Sequence, residues 1–204
     1  MKQTGAITVF IGPMFSGKSD MLIGEILSAQ RRKKRILLIK PVQDTRSGDK
    51  IASKKYRDDK KKFEEATSVE AHSVNSADEI LRLVEKTRCQ IVFADEAQFF
   101  GEDFPELVAK LAWDMGIDVY LAGLDLNYKR RPFEKRTMGD LLCLADSTVR
   151  RQADCFGDRC DQKARFTQKI GGSGREIDPG SDNYQACCNS CWYPYEDEPI
   201  KTSI

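Results

Sequence analysis

A single histidine, His72, is the only imidazole in this chain. It stands in Ala71-His72-Ser73 with no partner motif, just before an expected helix, so it reads as a structural or surface residue outside any mechanism. An excess of one charge is also missing. The 33 basic residues are balanced by 32 acidic ones, which removes the global bias expected of a nucleic-acid binder. The local basic runs do not restore it. Arg31–Arg35 suits a helix C-terminus, and Lys60–Lys62 lies in a charge-rich stretch, Lys54 to Glu65, that reads as a flexible loop or exposed helix. No apolar run nears the roughly 20 residues that cross a bilayer, and no signal-peptide pattern opens the chain. Structural patterning begins by Ala6, leaving little room for a targeting segment, so no membrane partner and a cytoplasmic setting are expected. Internal repeats and low-complexity linkers are absent as well.

What is present is a globular composition, 40% hydrophobic and 32% charged over 204 residues, enough for one good-sized domain with a small attachment. The chain is organised around Gly12-Pro13-Met14-Phe15-Ser16-Gly17-Lys18-Ser19, which fits G-x-x-x-x-G-K-[ST] at every fixed position. It follows the apolar run Ile7–Ile11 and opens into a helical pattern from about Lys18 to Arg32, carrying Met21, Leu22, Ile26 and Leu27. That strand–loop–helix setting separates a phosphate loop from a glycine-rich turn with an exposed lysine. Backbone N–H groups can curl around phosphate oxygens at a helix N-terminus. Lys18 can reach the terminal phosphates, and Ser19 can ligate a phosphate-bound magnesium ion. A nucleoside triphosphate is therefore the expected ligand.

Further strands are expected at Arg35–Ile39, stopped by Lys40-Pro41, at Gln90–Ala94 and at Asp118–Ala122. Their unbroken apolar character fits strands covered on both faces. Ser76-Ala77-Asp78-Glu79 is a capping-box pattern ahead of Ile80, Leu81, Leu83 and Val84. Another helix starts at Phe104-Pro105-Glu106 and ends by Gly116, and a last one lies near Gly139–Asp146, followed by Thr148-Val149-Arg150. Strands alternating with helices imply a parallel α/β sheet over residues 1–150. Ser47 to Ala71 gives no clear pattern. From about Cys155 the chain turns to loops, glycines and cysteines, a second small domain over 151–204.

Asp95-Glu96 ends the third of these strands. After a phosphate loop, this is where nucleotide enzymes hold a magnesium-associated carboxylate, a role that fits Asp95. Glu96, displaced toward the crevice beyond the sheet's carboxyl edge, can accept a proton from an attacking alcohol.

Seven cysteines, an odd number, favour metal over disulfides in a reducing compartment. Cys155 and Cys160 enclose four residues and Cys188 and Cys191 enclose two, a spacing that resembles a zinc ribbon of four thiolates. Cys187 is an adjacent spare with poorer spacing. With no histidine nearby, such a zinc is structural and clamps the loop from Asp161 to Cys187. Cys89 and Cys143 read as core packing.

The phosphate loop, Asp44-Thr45-Arg46, Asp95-Glu96-Ala97-Gln98-Phe99-Phe100 and the two cysteine pairs occur in the order seen in type II thymidine kinases, and the chain resembles that family from about Ile7 to Trp192. The resemblance implies a RecA-like phosphate-loop domain with a zinc-held lasso over the nucleoside. It implies transfer of the γ-phosphoryl group of ATP to the 5′-hydroxyl of thymidine or deoxyuridine. Glu96 matches the general base, Lys18 and Arg46 the residues that stabilise phosphoryl charge, and Ser19 and Asp95 those that serve magnesium. Positions matching the nucleoside pocket are Met14, Phe99, Leu124, Tyr128, Thr167, Ile177 and Tyr184, with Tyr184 as the aromatic beneath the sugar. A homotetramer and feedback inhibition by thymidine triphosphate are further implications.

Three departures stand out. Asp20 follows Ser19 where the family has threonine, and four residues rather than two separate the first cysteines. Asp178-Pro179-Gly180 stands where the lasso usually carries Ile-Gly-Gly, while another Ile-Gly-Gly occurs at Ile170–Gly172. Proline removes a backbone donor, so base contacts differ if that N–H is one of them. Two rival classes remain: a phosphate-loop hydrolase or switch whose ribbon binds a partner, and a non-catalytic nucleotide sensor. The first turns over ATP without a nucleoside, and the second binds without turnover, which the intact Lys18, Ser19, Asp95 and Glu96 speak against.

Overall fold

The computed structural model describes residues 4–57, 62–173, 175 and 181–195. Its centre is a six-stranded sheet of β1 (Ile7–Ile11), β2 (Ile36–Pro41), β5 (His72–Val74), β6 (Ile91–Ala94), β7 (Asp118–Gly123) and β8 (Ser147–Arg150), in the order β5-β2-β6-β7-β1-β8. Every pairing in it is parallel.

Side chains alternate between the two faces, and both are covered. On one face Ile7, Val9, Ile11, Val92 and Leu121 pack with residues of α2 (Ala77–Thr87), α3 (Phe104–Ala109) and α4 (Thr137–Leu144). On the other, Phe10, Phe93 and Ala122 meet Leu22, Ile23, Ile26 and Ala29 of α1 (Lys18–Arg31). Burial on both sides is why these strands read as continuous apolar runs. Ser76 caps α2, although Glu79 reaches back to the N–H of the residue before the cap rather than to that of Ser76 itself. The Ser76 Oγ accepts from the Glu79 N–H at 3.2 Å, and the Glu79 carboxylate accepts from the Asn75 N–H at 2.9 Å.

Three expectations change. The second strand does not stop before Lys40-Pro41; both residues lie within it, paired with Ser73 and Val74 of β5. Proline is tolerated because this segment pairs with a three-residue edge strand. The charged stretch from Lys54 to Glu65 is neither loop nor helix where described, but falls in an antiparallel hairpin of β3 (Lys50–Arg57) and β4 (Lys62–Glu70). Ile51 and Ser53 point inward from it, and Ile51 joins the cluster around α1. His72 is exposed, as expected of a surface residue, and stands in β5 ahead of α2. Cys143 is exposed, so it is not core packing, whereas Cys89 is buried.

Beyond β8 come two small antiparallel pairs, β9 (Ala153–Asp154) with β10 (Lys163–Ala164), and β11 (Phe166–Lys169) with β12 (Tyr184–Cys187). They share their own buried cluster, including Ala164, Ala186 and Cys187, onto which Trp192 packs. Among the described residues, no helix is long and apolar enough to cross a membrane.

Candidate active site

The carboxyl ends of β1, β2, β6, β7 and β8 lie along one edge of the sheet, and the residues that follow them converge there. Those following β1, β2, β6 and β7 line an open cleft together with β3. Lining it are Met14 to Asp20, Asp44, Arg46, Asp95, Glu96 and Leu124.

The phosphate loop takes a conformation that ordinary residues resist. Gly17 has φ 77° and Phe15 has φ 63°, both left-handed. A Cβ on Gly12 would meet the Arg151 carbonyl oxygen at 2.3 Å, so only glycine lets the chain leave β1 this close to the residue that follows β8. Lys18 Nζ donates to the Pro13 carbonyl at 2.7 Å, folded over its own loop. Burial pulls the Lys18 ammonium below its ordinary pKa, with the Glu96 and Asp95 charges opposing. Ser16 Oγ is buried without a hydrogen-bond partner among the described residues, which fits a cradle built for phosphate oxygens.

The acidic pair follows β6 directly. Asp95 Oδ2 accepts from the Ser19 hydroxyl at 3.0 Å, and its Oδ1 accepts from the Glu96 N–H at 2.9 Å. A hydroxyl and a carboxylate side by side at a phosphate loop are the hard oxygen donors a magnesium ion takes. Burial, and then the Glu96 charge, push the Asp95 carboxyl up to about 7, against the Glu96 N–H, the Ser19 hydroxyl and Arg46. Glu96 itself sits at φ 52°, a left-handed turn that costs a non-glycine residue of order 1 kcal/mol and marks functional sites. Its carboxylate is held from two sides. Gln98 Nε2 donates to one oxygen at 2.5 Å, and the Arg46 guanidinium pairs with the other. Gln98 is fixed in turn, its carbonyl oxygen accepting from the Leu124 N–H at 2.9 Å.

Arg46 reaches the cleft from the loop after β2, where its Nε also meets Asp44 Oδ1 at 2.6 Å. Burial alone would lower its pKa, but the Glu96 and Asp44 charges outweigh that, and the guanidinium is more firmly protonated than usual. Asp44 shows the mirror image. Burial raises its carboxyl, but Arg46 and then Lys40 hold it below the usual carboxylate range.

The expected nucleoside positions are only partly together. Met14 and Leu124 line the cleft, and the Met14 N–H donates to Thr167 Oγ1 at 2.9 Å, tying the phosphate loop to β11. Phe99 lies apart from the cleft lining, edge-on to Phe133 and beside a smaller depression with Phe100 and Phe104. Tyr128 and Tyr184 flank the fully buried Lys169, whose Nζ lies 4.8 and 5.9 Å from their ring centres. Ile177 and the Asp178-Pro179-Gly180 stretch lie outside the described residues.

The four expected metal ligands come together. The sulfurs of Cys155, Cys160, Cys188 and Cys191 all lie within 4.8 Å of one another, with Cys160 and Cys188 3.9 Å apart. Four thiolates around tetrahedral zinc have sulfurs spaced by about 3.8 Å. The N–H groups of Cys188 and Gly157 donate to Cys155 Sγ at 3.2 and 3.4 Å, as suits a thiolate. A Cβ on Gly157 would meet Cys191 Sγ at 2.5 Å, so the longer first knuckle closes by bringing bare backbone against the site. Cys187 is the spare, wholly buried at the end of β12.

Several functional contacts had little or no signature in the sequence. Asp125, after β7, pairs with both Arg150 and Arg165, linking the sheet edge to the ribbon segment. Arg130 lies 4.2 Å from the Phe166 ring centre and 4.9 Å from that of Trp192. It also donates to Asn189 at 2.8 Å between the two cysteines of the second knuckle. The one available signal for Asp125 was its place just past an apolar strand.

The thymidine kinase family model matches residues 5–192. The chain is 32% identical to a thymidine kinase of Bdellovibrio bacteriovorus over 96% of this chain and 89% of that protein. It is 31% identical to one from Pseudothermotoga lettingae over 92% and 95%, and 30% identical to one from Metamycoplasma arthritidis over 98% and 96%. With a nucleotide-type cleft, an acidic pair and a four-cysteine cluster on one frame, this chain belongs to the thymidine kinase family.

Proposed function

We propose that the chain transfers the γ-phosphoryl group of ATP to the 5′-hydroxyl of thymidine or deoxyuridine. The observation that carries this beyond family membership is the Arg46–Glu96 pair beside Lys18 and the Ser19–Asp95 contact in one cleft. A carboxylate for the alcohol proton and cations for the phosphoryl oxygens stand within one reaction volume.

In this reading Glu96 takes the proton of the 5′-hydroxyl, held in orientation by Gln98. Arg46 and Lys18 bind the phosphoryl oxygens as charge develops. Loop N–H groups and Ser16 cradle the phosphates, while Ser19 and Asp95 would hold magnesium. Magnesium bound with the nucleotide supplies the positive charge that offsets the β- and γ-phosphate oxygens. Met14, Phe99, Leu124, Tyr128, Thr167, Ile177 and Tyr184 form the nucleoside side on the family resemblance, supported for Met14 and Leu124 by their position in the cleft lining and for Thr167 by its bond to the Met14 N–H.

The four cysteines would hold a structural zinc that fixes the ribbon segment, including the loop from Asp161 to Cys187, against the phosphate loop. A lasso closed on that anchor excludes water that would compete for the phosphoryl group. Inhibition by thymidine triphosphate, a homotetramer and a cytoplasmic setting belong to the same reading and rest on the resemblance. The test is whether ATP turnover with magnesium requires a nucleoside. A nucleoside requirement supports the kinase, whereas turnover without one favours a hydrolase.

A further inference from the structure

The strand leading to Asp44 carries a lysine in its buried run. Lys40 lies in β2 with no exposed surface. Burying an ammonium is costly unless every donor is used, and here three acceptors surround it. Nζ lies 3.0 Å from Asp44 Oδ2 and donates to the carbonyls of Gly48 at 2.8 Å and Lys50 at 3.2 Å.

Those three partners bracket one segment. Asp44 begins it, Gly48 and Lys50 end it, and Arg46 lies between. Asp44 divides its two oxygens, Oδ2 toward Lys40 and Oδ1 toward the Arg46 guanidinium, which continues to Glu96. One fixed ammonium inside the sheet thus pins both ends of the loop that presents the arginine.

We propose that Lys40 is a positioning residue for phosphoryl transfer. It touches no reacting atom; it sets Asp44 and the 44–50 segment so that Arg46 is held in register with Glu96. The inference rests on the roles given above to Arg46 and Glu96. A displacement of about 1 Å in such a group can cost on the order of 10²-fold in rate.

The test is a double-mutant cycle of Lys40→Met and Arg46→Ala, with melting temperature, kcat and KM for ATP and thymidine measured for each purified variant. Lys40→Met is expected to lower kcat on the order of 10²-fold while both KM values stay within about threefold. In the Arg46→Ala background the same change is expected to cost less than about twofold more, because its effect runs through Arg46. Two independent factors that multiply would overturn the proposal, as would a silent Arg46→Ala beside an impaired Lys40→Met. A loss of melting temperature with kcat unchanged would make Lys40 structural only. If Lys40→Met does not fold, Lys40→Gln keeps an amide donor for one carbonyl and enters the same cycle with the same criteria. Glu96→Gln, assayed in parallel, checks the base assignment separately, since the Lys40–Arg46 coupling is read without it.

Discussion

Glu96 and Arg46 form a direct ion pair although they come from different strands, one turning out of β6 and the other from the loop after β2. In the mechanism proposed above, the pair joins the proton acceptor to a phosphoryl-binding cation. On that proposal, Arg46 shifts part of its interaction from the carboxylate to the phosphate as the phosphoryl group develops charge, which frees Glu96 for the 5′-hydroxyl proton.

Replacing Glu96 with Gln keeps the shape and the left-handed turn but removes the proton acceptor. The expected result is a fall in kcat of about 10²- to 10⁴-fold, with ATP affinity by calorimetry changed little. Unchanged kcat would remove Glu96 from the chemistry.

Arg46→Lys retains a positive charge and loses the planar fork that meets Asp44 and Glu96 together. A drop in kcat on the order of 10²-fold is expected, with KM for thymidine nearly constant. Full activity in steady-state assays would show that charge alone suffices.

Asp44 gives the acid dependence of stability. Its folded carboxyl is held below the ordinary range by Arg46 and Lys40, against burial. A lowered folded pKa means the unfolded chain takes up the proton first. The stabilisation is complete above the unfolded value of about 3.9 and is lost as pH falls through the folded one. Melting temperatures of wild type and Asp44→Asn should differ most near neutrality and converge as pH drops below about 4. A gap that is constant with pH would contradict this.

Much of the site could be read from the residues alone, because it is built from contiguous chain. The phosphate loop, the Asp95-Glu96 strand end and the choice of Cys188 over Cys187 all rest on local spacing. The hairpin from Lys50 to Glu70 could not be read so. Its strands satisfy each other rather than the main core, and Ile51 is among the few apolar anchors in a run of charges. Lys40 looked like the end of a strand because a buried ammonium is intelligible only once Asp44, Gly48 and Lys50 are folded around it. Cys143 looked apolar in a helix whose exposed face only tertiary packing defines. Arg130, Phe166 and Trp192 meet across long sequence separations, which no spacing rule reports.

The two adjacent cysteines make opposite predictions. Cys188→Ser removes a member of the four-sulfur cluster and is expected to abolish stoichiometric zinc, measured by atomic absorption, and to reduce thymidine turnover sharply. Cys187→Ser changes a buried packing residue and should retain the metal. Zinc loss in Cys187→Ser and retention in Cys188→Ser would reverse the assignment.

The most direct measurement is transfer from γ-labelled ATP, with magnesium, to thymidine, deoxyuridine and deoxycytidine in parallel, with a control lacking nucleoside. Label is expected in thymidine monophosphate and deoxyuridine monophosphate, with little free phosphate in the control. Phosphate released at the same rate with or without nucleoside would contradict the kinase reading.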